Sequence, residues 1–365
     1  MSDTSSPVPG AESVAAHIAS NVREALDTQG MWNATIGLPE QVAAAAEAAR
    51  GLSDLPTHDD IEHVVVLGMG GSGMAGDILQ AVGAPFLPVP VTVVKGYELP
   101  GFVGRGSLVF AVSFSGNTEE TAEAAAQAEL DGASLVVVTS GGQLGALAAE
   151  WGAPIVRVPA DIPQPRAALG AMAVPPLVVL HEIGLLRGAD RWIGEAVAQL
   201  ARRRDQIVAA GTGSIPATLA RRIGRTIPLV YGGGAIGAAA ALRWKNQINE
   251  NANAPAFSAT IPELCHNEVQ GWGQHGDVTR QILTLVNLRH DAEHPQVTRR
   301  FELVTESVRE VMAAIEEVHA AGEGELAQLL DLILIGDVTS LEMAFQEGLD
   351  PGPVPALSAI KSALS

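Results

Sequence analysis

Three hydroxyls, Ser113, Ser115 and Thr118, fall within six positions of the segment Val112-Ser113-Phe114-Ser115-Gly116-Asn117-Thr118-Glu119-Glu120-Thr121. An apolar run precedes them and a helical pattern follows. The hydroxyls therefore stand beside the unpaired N–H groups of a first helical turn, a combination suited to an anion such as phosphate. The competing reading is an ordinary N-cap, with Asn117 or Thr118 on the helix and Glu120 or Thr121 in support. One hydroxyl satisfies a cap. Three exceed it, and Ser72 adds a fourth at the end of another apolar run, in Gly68-Met69-Gly70-Gly71-Ser72-Gly73. Glycines there let the backbone approach a ligand closely.

A second chemistry resides in Lys245-Asn246-Gln247-Ile248-Asn249-Glu250-Asn251-Ala252-Asn253 and in Pro262-Glu263-Leu264-Cys265-His266-Asn267-Glu268. Asn-rich sequence also ends helices. So many ionisable groups inside an Ala/Val-rich chain nevertheless read as a site. Glu250, His266 and Arg166 supply a carboxylate, an imidazole and a guanidinium. Aldose–ketose isomerisation needs that set: a base to move a proton between neighbouring carbons, an acid–base group to open the sugar ring, and a cation for the oxyanion. Arg166 follows the last strand of the first half at a helix start, where a cation is mildly unfavourable, which favours a ligand-facing role.

Other chemistries fit less well. Cys265, His266, His275, Glu263 and Glu268 lack any C-x-x-C or H-x-x-x-H spacing, so no metal site is expected. No G-x-S-x-G elbow marks a serine hydrolase. The glycine turn includes a G-x-G-x-x-G pattern, but Glu98 is a loose match for the ribose carboxylate, and the serine loop has no role in dinucleotide binding. No Lys follows the glycines, which removes the Walker pattern.

The positioning elements read as short apolar strands alternating with helices. Strands are expected at Val64–Leu67, Val91–Lys95, Leu108–Ser113, Leu135–Thr139 and Ile155–Val158. Helices follow at about 74–82, 119–130 and 144–151. The pattern restarts at Ile227–Tyr231, with a helix over 235–249 and strands near 282–287 and 315–318. A second glycine turn, Gly232-Gly233-Gly234-Ala235-Ile236-Gly237, holds no hydroxyl or basic residue and reads as tight strand–helix packing. The fold class is α/β: two doubly wound domains, each a parallel sheet flanked by helices. The expected division is an N-terminal tail and helical segment 1–50, a first domain 51–165, a helical connector 166–210, a second domain 211–348 and a C-terminal helix 349–365. Residues 1–10 read as a disordered start.

Composition agrees with a globular α/β protein, at 47% hydrophobic and 17% charged residues. The net charge of −19 argues against nucleic-acid binding, which needs a basic footprint. A lone cysteine permits no internal disulfide, no signal peptide is visible, and Ala167–Leu180 is too short for a membrane span. A cytoplasmic location is expected.

At these residues the sequence resembles the bifunctional phosphoglucose/phosphomannose isomerase family, built from two sugar isomerase (SIS) domains. The resemblance runs from Gly68 to Lys361 through Gly68–Gly73, Ser113–Thr121, Pro165–Gly170, Asn249-Glu250-Asn251 and Pro262–Glu268. It implies that Gly71, Ser72, Ser113, Ser115 and Thr118 bind substrate phosphate. It implies Glu250 as the base acting at C1 and C2, and Arg166 as stabiliser of the enediolate. His266, contributed across a homodimer interface, and Lys361 in the final helix would assist ring opening. The implied reaction interconverts glucose 6-phosphate, and mannose 6-phosphate, with fructose 6-phosphate without a cofactor. Asn253, Cys265 and Gly352 stand where the family commonly has Lys, Asn and Thr. A non-catalytic sugar-phosphate sensor is the alternative from another class.

Overall fold

The computed structural model describes residues 21–364; the polar start, residues 1–10, lies outside them. Val-rich runs without polar interruption form the inner strands of a five-stranded sheet, because a strand covered by helices on both faces has no solvent side. The strands are β1 (His63–Leu67), β2 (Val91–Val94), β3 (Ser107–Ser113), β4 (Ser134–Thr139) and β5 (Ile155–Arg157). Every residue of β3 is buried, whereas β2 and β5 at the edges are partly exposed. The order is β2-β1-β3-β4-β5, all parallel, with Val64 opposite both Val91 and Leu108.

A second sheet contains β6 (Ile227–Gly233), β7 (Phe257–Ile261), β8 (Leu283–Arg289) and β9 (Ala314–His319), ordered β7-β6-β8-β9 and again parallel. In both sheets the first strand is interior, the second lies at the edge on one side of it and the later strands follow in order on the other. The repeat expected from the restarted pattern is thus a repeat of topology. Strand β7 is absent from the sequence reading. It is short, mostly half-exposed and bracketed by Pro255 and Pro262, so it merges with the polar block around it.

The helix Glu325–Gln346 is buried over almost its whole length and packed on the helices Ala189–Ala210, Ile215–Ile223 and Gly234–Asn251. A helix apolar on nearly every side belongs at the centre. Its two buried carboxylates are paired: Asp331 with Arg203 at 2.8 Å and Asp337 with Arg243 at 2.7 Å. The glycines that end β6 serve packing, as the sequence suggested. A β-carbon on Gly232 would lie 1.9 Å from the Gly237 carbonyl oxygen, and one on Gly233 would strike Val297 and Phe301. Among the described residues, no helix is long and apolar enough to cross a membrane.

Candidate active site

In the first sheet the chain reverses its direction of strand addition between β1 and β3, the place where such sheets bind ligands. The Ser72 turn leaves β1 and the Ser113–Thr118 loop leaves β3, so the two hydroxyl-bearing segments meet there. Their contact is direct: the Phe114 N–H donates to Ser72 Oγ at 3.2 Å. Ser72 Oγ in turn donates to Met172 Sδ at 3.2 Å, a weak acceptor that an anionic oxygen would outcompete. Gly70, at φ +51°, takes a left-handed conformation that admits glycine readily.

The β3 loop is braced from beneath. Gly116 has φ +70°, and a β-carbon there would lie 1.8 Å from the Gly141 carbonyl oxygen. Ser140 donates to the Phe114 carbonyl from both its N–H (2.9 Å) and its hydroxyl (2.6 Å). Ser113 is fully buried; it accepts from the Gly116 N–H and donates to Thr118 Oγ1 at 2.9 Å. Ser115 is exposed and accepts from the Asn117 N–H. Among the described residues, neither Ser115 nor Thr118 donates its hydroxyl proton to a protein group. No side chain caps the helix Glu119–Leu130, although Thr118 occupies the N-cap position. The N–H groups of its first turn and the two hydroxyl protons remain for a ligand.

The second centre is Arg166, only 2% exposed. Its Nε donates to Asn251 Oδ1 at 2.6 Å, Nη1 to Gln164 Oε1 at 3.4 Å, and Nη2 to the carbonyls of Pro351 (2.5 Å) and Gly352 (2.8 Å). Four of the five guanidinium N–H bonds are thereby used. The fifth is on Nη1, the atom 3.7 Å from Glu250 Oε2. Burial lowers the Arg166 guanidinium from the ordinary arginine range, and the Glu250 carboxylate works against that fall. Glu250 sits in the last turn of the helix Gly234–Asn251 and remains partly open to solvent.

The two centres are joined through Gly71. A β-carbon on it would lie 3.2 Å from Arg166 Cα, so this glycine lets the Ser72 turn press against the arginine backbone. Arg243, held by Asp337, fixes the same backbone by donating to the Arg166 carbonyl at 2.5 Å. Asn251 is locked in turn, donating to Ser340 Oγ at 2.9 Å.

Ser72, Ser113, Thr118, Gly71, Arg166 and Glu250 thus form one connected group, with Ser115 at its surface. His266 is exposed on the short turn Glu263–His266, and no hydrogen bond or ion pair ties it to Glu250 or Arg166 among the described residues. Lys361 lies on the exposed terminal helix Pro355–Leu364. Buried Tyr231 anchors the segment after His266, donating to Glu268 Oε1 at 2.5 Å and accepting from Trp272 Nε1 at 3.1 Å. Among the described residues, no three His, Cys, Asp or Glu side chains gather as a metal site would require. Gln164, Asn251, Arg243 and the two tail carbonyls were missed by the sequence reading. Asn251 alone carried a signal, as part of Asn249-Glu250-Asn251.

Comparison with known proteins identifies the family and its domains. Residues 59–150 match the SIS domain model and residues 214–364 the bacterial phospho-glucose isomerase C-terminal SIS domain model. A bifunctional phosphoglucose/phosphomannose isomerase of Caldicellulosiruptor bescii is 32% identical over 340 residues, covering 92% of this chain and 99% of the relative. One from Aquifex aeolicus is 33% identical over 303 residues, covering 82% and 90%. A solved structure of a hypothetical protein from Thermus thermophilus shares the fold at a TM-score of 0.71 and 16% identity, covering 98% of this chain and 96% of that one. The chain belongs to the bifunctional phosphoglucose/phosphomannose isomerase family.

Proposed function

We propose that the protein interconverts glucose 6-phosphate, and mannose 6-phosphate, with fructose 6-phosphate by proton transfer, without a cofactor. The carrying observation is the Arg166–Glu250 pair: a buried cation with one uncommitted N–H, beside a carboxylate that solvent and substrate can reach. Glu250 removes the proton from C2 of the open aldose. The C–H electron pair becomes the C1–C2 double bond, and negative charge moves to O1, where Arg166 steadies it. Return of the proton to C1, with transfer of the O2 proton to O1, completes the ketose.

The phosphate at the far end of the sugar is held by Ser72, Ser115, Thr118 and the Gly71 turn. Ser113 acts from below. By donating to Thr118 it satisfies that hydroxyl's acceptor side and leaves the threonine proton for the phosphate. Ring opening falls to Lys361 and to His266 of a second copy in a homodimer. The exposure of His266 supports that arrangement, as does the apolar row Leu357, Ile360 and Leu364 on the terminal helix.

The test is direct assay of fructose 6-phosphate formation from each epimer. Product from glucose 6-phosphate is expected. Binding of either epimer without turnover would make the protein a sensor instead.

A further inference from the structure

Residues 27–30 lie outside both matched domain models, yet they touch the machinery around Arg166. Thr28 Oγ1 donates to Asp350 Oδ2 at 2.5 Å, and Asp350 Oδ1 accepts the Gly352 N–H at 2.9 Å. This clamps the tail turn whose carbonyls bind Arg166. Gln29 occupies the space beside Gly352, where a β-carbon would lie 2.7 Å from Gln29 Cδ. Its Oε1 accepts from Gln164 Nε2 at 2.7 Å.

That last bond has a geometric consequence. An amide has one acceptor end and one donor end. With the Gln164 donor end directed to Gln29, its acceptor end faces Arg166 Nη1 at 3.4 Å. Were Gln164 turned over, its NH2 group would confront the guanidinium, donor against donor. Nη1 is also the atom nearest Glu250.

We propose that Gln29 is a positioning residue for the isomerase reaction. It selects the orientation of the Gln164 amide, which consumes one Nη1 proton of Arg166 and leaves the other for the reacting oxygen. The inference rests on the reading of Arg166 as stabiliser of the enediolate. Gln29 itself is exposed, so its substitution removes no core packing.

The experiment compares Gln29→Met, which keeps length but offers only a weak thioether acceptor, with Gln29→Glu, which keeps the oxygen acceptor. Gln29→Met is expected to lower kcat roughly threefold to tenfold, the rate equivalent of one hydrogen bond, with KM within about twofold. Gln29→Glu should restore most of the loss. In a Gln164→Ala background, Gln29→Met should have no further effect, because the amide it orients is gone. An unchanged kcat in Gln29→Met, or an equal additional loss in the Gln164→Ala background, overturns the proposal. Arg166→Lys separates the two levels. If it retains wild-type kcat, the reading of Arg166 fails; if it is crippled while Gln29→Met is normal, only the role of Gln29 fails.

Discussion

Replacing Glu250 with glutamine removes a charge and a proton acceptor while keeping shape. The carboxylate lies 3.7 Å from Arg166 Nη1. At an effective dielectric of about 20 that separation corresponds to about 4–5 kcal/mol of attraction. The stability cost is smaller, about 1–2 kcal/mol, because Glu250 is partly solvated and four neutral acceptors still surround Arg166. Catalysis should suffer more. Losing a positioned general base lowers kcat by about 10²–10⁴, or roughly 3–5 kcal/mol of barrier. Two assays read this: fructose 6-phosphate formation from glucose 6-phosphate, and uptake of solvent deuterium at C2, which requires the base even without net conversion. Binding of the sugar phosphate should persist, since the hydroxyl loops sit on the other sheet. A folded Glu250→Gln enzyme that turns over, or exchanges deuterium, within threefold of wild type would refute the assignment of the base.

The joint variant Ser115→Ala and Thr118→Ala should raise KM for the hexose phosphate at least tenfold, given two hydrogen bonds to a charged group, and wild-type KM would remove phosphate from this loop. Asp331→Ala strands Arg203 in the core and should cost about 3–5 kcal/mol in denaturant unfolding, whereas a loss under 1 kcal/mol would show the pair to be dispensable. The chain has two tyrosines, Tyr97 exposed and Tyr231 buried. Burial and the Glu268 carboxylate push the Tyr231 phenol far above its usual range. Alkaline titration of the native protein should therefore show one phenolate. A folded pKa above the unfolded value near 10 means that stability is complete below about pH 10 and is lost as pH rises above it. Tyr231→Phe should flatten that alkaline loss, and two phenolates appearing in protein with native circular dichroism would contradict the buried assignment.

How much of this was legible in the sequence depended on the range of the interaction. Strands β1, β3 and β4 announce themselves because burial on both faces demands uninterrupted Val and Leu, and the hydroxyl loop follows β3 by only a few residues. Arg166 and Glu250 could be named as chemical types, and their separation in sequence gave no indication that they approach within 3.7 Å. The carbonyls of Pro351 and Gly352 were beyond reach, since a backbone acceptor leaves no mark on residue type. The same limit hid Gln29. Its partners are 135 residues away in Gln164 and farther still in Gly352, and an exposed glutamine near an N-terminus has no local signature. Glycine at position 352 has a physical correlate: Gln29 fills the volume that a larger side chain there would occupy.

Arg166 explains why two sheets are needed for one small reaction. Its backbone touches Gly71 of the first domain, and its carbonyl is fixed by Arg243 on a helix of the second. Its guanidinium is held by Asn251 from that same helix and by the tail turn. In the proposed mechanism, a phosphate loop built on one sheet and a base built on the other must keep a fixed separation, because the substrate's phosphate and its reacting carbons are joined by a chain of set length. Misplacing reacting groups by about 1 Å can cost on the order of a hundredfold in rate. An arginine whose backbone packs on one domain and whose buried guanidinium is bonded to the other meets that requirement better than either sheet alone. It does so because its planar fork satisfies four acceptors at once while leaving one donor uncommitted.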